Sequence, residues 1–303
     1  MCSIINGTYA DKNNIILDLN GKDNKYSYYP ILIAYNQSNI ELIKLLMEYA
    51  NKNNIILNLN EKDVNGYYPL IYAYFINNID YVRLLIEYAN KNNITLDLNE
   101  IINEYRYYPL LIAYRQCNIE LIKLLMEYAN KNNIILNLNE KDMNGYYPLM
   151  DACCSNNIDY VRLLIGYANK NNIILDLNGK NDKYGDYPLL IAYKQSNIEL
   201  IKLLMEYANK NNIILNLNEK NLNGYYPLIE ACYKNNFDCV QLLMEYADKN
   251  NIILDLNEKD NEYGNYPLLI AYKQCNIELI KLLMEYANKN NIILNLNEKN
   301  LNG

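Results

Sequence analysis

The sequence predicts an all-α fold, a stack of helix pairs with turn fingers between the units. Three observations predict it. The 303-residue chain holds seven prolines, Pro30, Pro69, Pro109, Pro148, Pro188, Pro227 and Pro267, spaced alternately by 39 and 40 residues. Each opens a short segment with apolar residues at helical spacing, as in Leu70, Ile71, Ala73 and Tyr74. Each is followed by a longer periodic segment, as in Leu42, Ile43, Leu45, Leu46, Met47, Tyr49 and Ala50, whose apolar face is too wide to leave in water. Units that cover such faces only against their neighbours share one continuous core. The expected organisation is a single array over residues 9–303, about seven full repeats with partial units at both ends, behind a tail at 1–8.

The unit justifies itself element by element. Tyr precedes every Pro, and Pro suits the first helical position, where its missing N–H costs nothing. The first helix is short, about ten residues, and carries an alanine at one fixed slot: Ala34, Ala73, Ala113, Ala152, Ala192, Ala231 and Ala271. A small side chain there predicts close approach of a neighbouring helix. A turn follows at Ser38, Asn77, Cys117, Asn156, Ser196, Asn235 or Cys275, and the next residue is always Asn, a strong N-cap. Two residues on stands an acid, Glu41 or its equivalent, which complements the helix dipole. After the second helix, Asn51-Lys52-Asn53-Asn54 breaks the periodicity, and Ile55–Asn60 alternates as an extended segment does. Helices pack about 8–10 Å apart while paired strands lie about 4.7–4.9 Å apart, so these segments are predicted to be extended without forming a sheet ladder. A tight turn at 62–66 returns the chain to the next Tyr-Pro. Longer and shorter turns alternate, so the true period is a pair of repeats. Residues 187–224 recur at 266–303 with one change, Ser196 to Cys275.

Composition excludes several function classes. A net charge of −7 and the absence of a basic run argue against a general nucleic-acid binder, which must neutralise phosphates. No apolar run is long enough to span a membrane, and residues 1–7 lack the features of a signal peptide. A cytoplasmic or nuclear setting follows as an expectation. The chain has no His, which removes the commonest acid–base group and the Ser-His and Cys-His nucleophile arrangements. The seven cysteines lack any CxxC and mostly replace Ser, Tyr or Leu in repeat slots, so they are expected as free thiols, with no metal and no cofactor. Tyr is 33 against Phe 2 and Trp 0, and Asn, Ile and Lys abound, a bias that an AT-rich gene would produce.

The segments Tyr-Pro-Leu-x-x-Ala, Asn-Ile-Glu-Leu-Ile-Lys-Leu-Leu, Leu-Asn and Asp-x-x-Gly together resemble the ankyrin repeat. That family's pattern is Thr-Pro-Leu-His-x-Ala-Ala, Gly-His-x-Glu-Val-Val-Lys-Leu-Leu, Val-Asn and Asp-x-x-Gly. The departures are systematic. Tyr stands for Thr, which removes the side-chain cap of the first helix, and Ser, Asn or Cys followed by Asn stands for Gly-His. The period exceeds the family's 33 residues by six or seven. Aligning Leu59-Asn60 with Val-Asn places the additional residues near 51–56, where a longer second helix and an apolar tuck are expected. Neither chain end supplies a polar capping unit, so the expectation is a piece of a longer array with a tendency to self-associate through its terminal repeats.

The resemblance implies a protein or peptide partner on a concave face made by the finger tips and the first helices. The corresponding positions vary between copies while the rest repeats. The tip residue before Tyr-Pro is Tyr28, Tyr67, Tyr107, Tyr146, Asp186, Tyr225 or Asn265, and the outer residues of the first helix include Phe75-Ile76, Arg115-Gln116, Lys194-Gln195, Tyr233-Lys234 and Lys273-Gln274. The candidate contact residues are Tyr67, Phe75, Ile76, Tyr107, Arg115, Tyr146, Lys194, Tyr225, Tyr233, Lys234 and Lys273, with Tyr and Arg favoured as anchors. The function expected is a non-enzymatic scaffold for protein–protein interaction. The competing expectation is a spacer array, or a fragment of a larger multidomain protein, with no ligand of its own.

Overall fold

Prolines at the first helical position and asparagines at the second N-cap punctuate the chain into seven helix pairs. The structure, a computed structural model, describes residues 16–295. Among them there are fourteen helices and no strands, with one isolated antiparallel bridge between Ile102 and Tyr107. The tail at 1–8 and parts of the expected partial units at both ends, 9–15 and 296–303, lie outside the described residues.

The chain divides into two compact units, one up to Asn137 and one from Leu138 onward. The first contains α1 (Pro30–Asn36), α2 (Ile40–Lys52), α3 (Pro69–Ile76), α4 (Ile79–Lys91), α5 (Pro109–Arg115) and α6 (Ile119–Lys131). The second contains α7 (Pro148–Cys154), α8 (Ile158–Lys170), α9 (Pro188–Lys194), α10 (Ile198–Lys210), α11 (Pro227–Tyr233), α12 (Phe237–Lys249), α13 (Pro267–Lys273) and α14 (Ile277–Lys289). Within each unit, odd-numbered helices pack on odd and even on even, and the two helices of a pair pack on each other. The fixed alanines are wholly buried at these contacts.

The first helices are seven or eight residues long, shorter than the ten expected. The turn residue stops them: Ser38, Asn77, Cys117, Asn156, Ser196, Asn235 and Cys275 all adopt a left-handed φ of 50–57°. The second N-cap forms as predicted, with the Asn39 side chain accepting from Leu42 N–H and Asn78 from Asp80 N–H. The second helix runs through Lys52, past the predicted break, and ends in a Schellman turn. Asn54 takes φ 55°, Ile55 N–H reaches Ala50 O at 2.8 Å and Asn54 N–H reaches Asn51 O at 3.5 Å. Asn occupies this left-handed slot in all seven repeats, at Asn54, Asn93, Asn133, Asn172, Asn212, Asn251 and Asn291. The apolar tuck expected near 51–56 does not close: Ile55 is half-buried and Ile56 is 60% exposed, and burial resumes at Leu57 and Leu59.

The extended segments do not ladder, as the spacing argument requires, and a side chain fills the gap. Asn99 Nδ2 donates to Ile135 O at 2.7 Å, and its Oδ1 accepts from Asn137 N–H at 2.9 Å. In the second unit Asn178 bonds Ile214 O at 2.7 Å and Asn216 N–H at 3.1 Å. Asn20, Asn60, Asn139, Asn218 and Asn257 repeat the arrangement. Each primary amide offers one donor and one acceptor to one backbone donor and one acceptor of the next repeat, as a strand would.

Tyrosine hydroxyls make a second set of bridges. The tyrosine before each proline is buried, and five of them donate their O–H to a backbone carbonyl of the following finger: Tyr29 to Glu61 O at 2.7 Å, Tyr68 to Asp97 O at 2.8 Å, Tyr147 to Asp176 O at 2.8 Å, Tyr187 to Glu219 O at 2.8 Å and Tyr226 to Asp255 O at 3.0 Å. Tyr35, Tyr74 and Tyr193 in the first helices reach the second helix of the next repeat, Tyr35 donating to Tyr81 O at 3.1 Å. Those in the second helix reach back, as Tyr207 accepts from Leu175 N–H at 3.1 Å. Tyr and Asn richness thus has structural uses beyond the base composition that accounts for it in the sequence alone. Lysine–glutamate pairs add an outer ladder, Lys22–Glu61 and Lys62–Glu100 in the first unit, Lys180–Glu219 and Lys220–Glu258 in the second. These pairs are half-exposed and contribute little each.

Two predictions follow from this bonding. Asn178→Ala removes one donor and one acceptor, leaving the half-buried Asn216 N–H unmatched and the exposed Ile214 O to water. A loss of about 1–2 kcal/mol in a urea titration is expected, with little change for a surface substitution such as Glu206→Gln. The second concerns alkali. Burial pushes the phenols of Tyr35, Tyr68, Tyr147, Tyr187, Tyr193 and Tyr226 well above their ordinary value of 10. Above that pH the unfolded chain releases these protons while the folded chain keeps them, so stability is full below pH 10 and falls as pH rises. Each such phenol costs about 1.4 kcal/mol per pH unit there. Loss of helical circular dichroism is expected to coincide with phenolate absorbance, and the midpoint to rise when Tyr35 or Tyr193 is replaced by Phe without loss of fold.

Candidate functional site

The finger tips and first-helix residues that vary between copies come together in pairs eight residues apart. A finger returns its tip residue beside the last turn of the helix it precedes. In the first unit Tyr67 meets Phe75, ring centroids 5.9 Å apart and edge-on, and the Arg115 guanidinium lies 5.1 Å over the Tyr107 ring. In the second unit Tyr225 meets Tyr233 at 5.8 Å, Lys194 Nζ is 2.7 Å from both carboxylate oxygens of Asp186, and Lys273 Nζ donates to Asn265 Oδ1 at 2.7 Å. Tyr146 follows the pattern with Cys154. Its phenol is pushed up to about 12 by burial first, then by Cys154 and Asp186.

The first unit extends its pairs into a belt. Tyr26 stacks on Tyr28 at 5.6 Å, and the Tyr28 phenol interacts with that of Tyr72. Tyr72 meets Tyr67 at 5.4 Å, Phe75 meets Tyr107 at 6.4 Å, and Tyr105 stacks on Tyr107 at 5.7 Å. Each contact falls in the range where aromatic pairs attract. A cation closes each end, Lys25 Nζ at 4.7 Å over Tyr26 and Arg115 over Tyr107. The belt is anchored from below. Asp63, buried, accepts from Asn65 N–H and Tyr67 N–H to shape its finger, and its other oxygen takes the Tyr72 O–H at 3.0 Å. Asn103 Nδ2 donates to Tyr67 Oη at 3.0 Å. Phe75 remains 41% exposed and lines a recess with Tyr107, Ile112, Arg115 and Gln116. Ile76 is half-buried at the end of α3, outside the ring contacts.

The second unit presents a polar version of this face. Asp186 and Asn265 are buried, and the Asn221 amide donates to Asp186 at 2.8 Å. Glu230, also buried, has its pKa raised by desolvation, against the pull of Lys194 and Lys234. Tyr233 donates to Asp260 Oδ2 at 2.6 Å and accepts from Asn265 Nδ2 at 2.8 Å. Lys194 and Lys273, chosen from the sequence as contact residues, each bond an oxygen within the face, Lys194 half-buried and Lys273 exposed, and Lys234 is exposed as well. The buried side-chain oxygen of Gln116 has no hydrogen-bond partner, and the same atom is orphaned in Gln195 and Gln274, so this belongs to the repeat and not to one site.

Sequence reasoning missed Tyr26, Tyr72 and Tyr105, and missed that the varied residues are matched. Two signals were available: the recurrence of Tyr26, Tyr105, Tyr184 and Tyr263 in every longer finger, and the tip-to-helix offset of eight. Among the described residues no group of His, Cys, Asp and Glu could hold a metal ion, the six cysteines are free thiols, and no helix is long and apolar enough to cross a membrane.

Helix pairs stacked through small residues, with turn fingers ending in Asp-x-x-Gly, define an ankyrin-repeat protein. The family model for ankyrin repeats matches three times, over residues 4–97, 94–174 and 172–253, and the chain belongs to that family. Among solved structures it is similar to the ankyrin repeat domain of Bcl-3, described as a unique member of the IkappaB protein family. The TM-score is 0.57 at 18% identity, covering 85% of this chain and 98% of that one, a likeness of fold. A comparison with curated proteins returns no match.

The pairing predicts an asymmetry. Lys194→Met strands the Asp186 carboxylate and is expected to cost about 2–3 kcal/mol in denaturant unfolding. Asp186→Asn recreates the Asn265–Lys273 pair and is expected to cost less than about 1 kcal/mol.

Proposed function

We propose that this chain is a non-enzymatic interaction scaffold that binds a protein or peptide partner on the face formed by its finger tips and first helices. The observation that carries the reading is the aromatic belt of the first unit. Rings at interfaces supply large contact area at small entropic cost. Phe75 is held in place by neighbours on both sides and still reaches solvent. Tyr67, Phe75, Tyr107 and Arg115 are the anchors, with Ile76 beside them. Tyr146, Lys194, Tyr225, Tyr233, Lys234 and Lys273 form the polar counterpart on the second unit. Interaction with protein partners is the general use of the ankyrin fold. The free thiols support a reducing compartment, cytosol or nucleus.

A spacer without a ligand draws support from the second unit, where Lys194, Tyr233 and Lys273 satisfy one another's neighbours. Selection of displayed peptides on the full chain separates the two. The scaffold reading expects binders that lose about ten-fold or more in affinity on Phe75→Ala or Arg115→Ala, with the fold retained. Loss of the exposed Arg115 leaves melting nearly unchanged, and loss of Phe75 lowers stability by two ring contacts of about 0.5–1.5 kcal/mol each. Binders indifferent to both substitutions, or none at all, would leave the spacer reading standing.

A further inference from the structure

We infer that a second copy of this chain docks on the second unit, along a row of isoleucines that the core does not use. The row shares no residue with the finger-and-helix face, so the inference goes beyond the scaffold reading and does not depend on it. In the extended segment after each second helix, the residue ahead of the first leucine is Ile174, Ile214, Ile253 or Ile293. These are 55, 77, 60 and 86% exposed. A single aliphatic side chain in water is ordinary, but one in the same slot of four successive repeats calls for a cover. The stack itself does not require them. Burial begins at the next residue, as at Leu175, Leu215 and Leu254, and Thr95 takes the slot in one repeat of the first unit.

The row is rigid before anything binds. Each of its carbonyls accepts from an Asn amide one repeat earlier, Asn139, Asn178, Asn218 and Asn257, at 2.7–2.8 Å. The following N–H groups of Leu175 and Leu254 donate to the hydroxyls of Tyr207 and Tyr286. With these groups bonded into the stack, the row presents apolar side chain more than backbone. Isoleucine is stiff at χ1, so covering it loses little rotamer freedom.

Three features point to a second copy as the cover. The first is spacing. A partner meets all four isoleucines at once when its own apolar groups recur at the same interval, and a second copy carries that interval whatever its value. Its row is the same surface, as a two-fold contact requires. The second is charge. The net charge of −7 makes copies repel one another, yet each repeat of the second unit reads Asn-Asn-Ile-Ile here, four uncharged residues. The third is area. Four isoleucines exposed to this degree, with the exposed asparagine two residues before each, approach the roughly 800 Å² per partner that a specific interface buries. An area near that bound fits a reversible dimer, not a permanent one.

The test is sedimentation velocity of the full chain at rising concentration. A dimer is expected to form, and to weaken about ten-fold or more when Ile214→Thr and Ile253→Thr are combined. Thr already fills this slot at Thr95, so helical circular dichroism is expected to stay that of the parent. Chains carrying Ile214→Lys with Ile253→Lys, or Ile214→Asp with Ile253→Asp, are expected to be monomers alone and to pair one-to-one when mixed. That recovery holds whether the two rows run parallel or antiparallel. Phe75→Ala is expected to leave the dimer intact, which separates this contact from the finger-and-helix face. A monomer at every concentration up to about 0.1 mM overturns the inference. So do assemblies indifferent to the isoleucine substitutions, and Lys and Asp chains that stay apart when mixed.

Discussion

Helices packed through their side chains keep their axes about 8–10 Å apart, and backbone segments joined by hydrogen bonds need about half that. A stack of helix pairs imposes the larger spacing on everything attached to it. The extended segment after each second helix therefore carries N–H and C=O groups that cannot reach their counterparts in the next repeat. Buried and unmatched, such groups are costly. This chain spans the gap with side chains of suitable length: the Asn amide, which returns one donor and one acceptor, and the Tyr phenol, which reaches from a ring packed in the core. Only where fingers turn toward each other does backbone meet backbone, as Leu222 N–H meets Tyr184 O at 2.9 Å.

The same constraint orders the face. A finger that cannot ladder is held by its own turn, and the buried Asx residue at its base does the holding. Asp63 and Asp260 each accept two or more finger N–H groups. Because the turn is fixed, the tip residue lands beside the residue eight positions later in six of the seven fingers, from Tyr67 with Phe75 to Asn265 with Lys273. The alternation of longer and shorter fingers then places a second tyrosine at the outer end of every other finger. In the first unit this yields contiguous rings. In the second, Asp186 and Asn265 replace two of the tip tyrosines, and the rings give way to ammonium–oxygen contacts.

The fold was legible because its determinants are local and repeated seven times. Proline at the first helical position, the Asn cap and the fixed alanine each act within a few residues and lie where the pattern places them. The length of the first helix was less legible, since its end depends on a left-handed residue, and Ser38 or Cys117 does not advertise that conformation as glycine would. Nor did Asn-Asn at 53–54 show that the helix continues to Lys52 before its Schellman turn. The site was only partly legible. Variation between copies picked out Tyr67, Phe75, Tyr107 and Arg115, which lie side by side in the fold, but it could not tell an outward residue from one committed to a neighbour. Lys194 looks free in sequence because Asp186 lies eight residues back, across a turn whose geometry the sequence does not print.

Matched variation bears on what the face is for. Residues 187–224 and 266–303 are nearly identical, yet the tip residues just before them differ, Asp186 in one and Asn265 in the other. Both offer the following lysine an oxygen at 2.7 Å. Elsewhere three of the five tip tyrosines are met by Phe75, Arg115 or Tyr233, each a group that favours an aromatic ring, while Tyr146 is followed at the same offset by Cys154 and Tyr28 by Asn36. Independent drift at exposed positions supplies no reason for two residues eight apart to suit each other. A requirement that the face stay internally satisfied does, and it acts on both units. Both units meet it with groups that still reach solvent: Phe75 and Tyr105 in the first, Tyr184, Tyr263 and Tyr272 in the second beside ammonium–oxygen pairs whose oxygens are buried. Internal satisfaction is served equally by a ring pair and by an ammonium–oxygen pair, so it fixes that the two residues match and not which match is used.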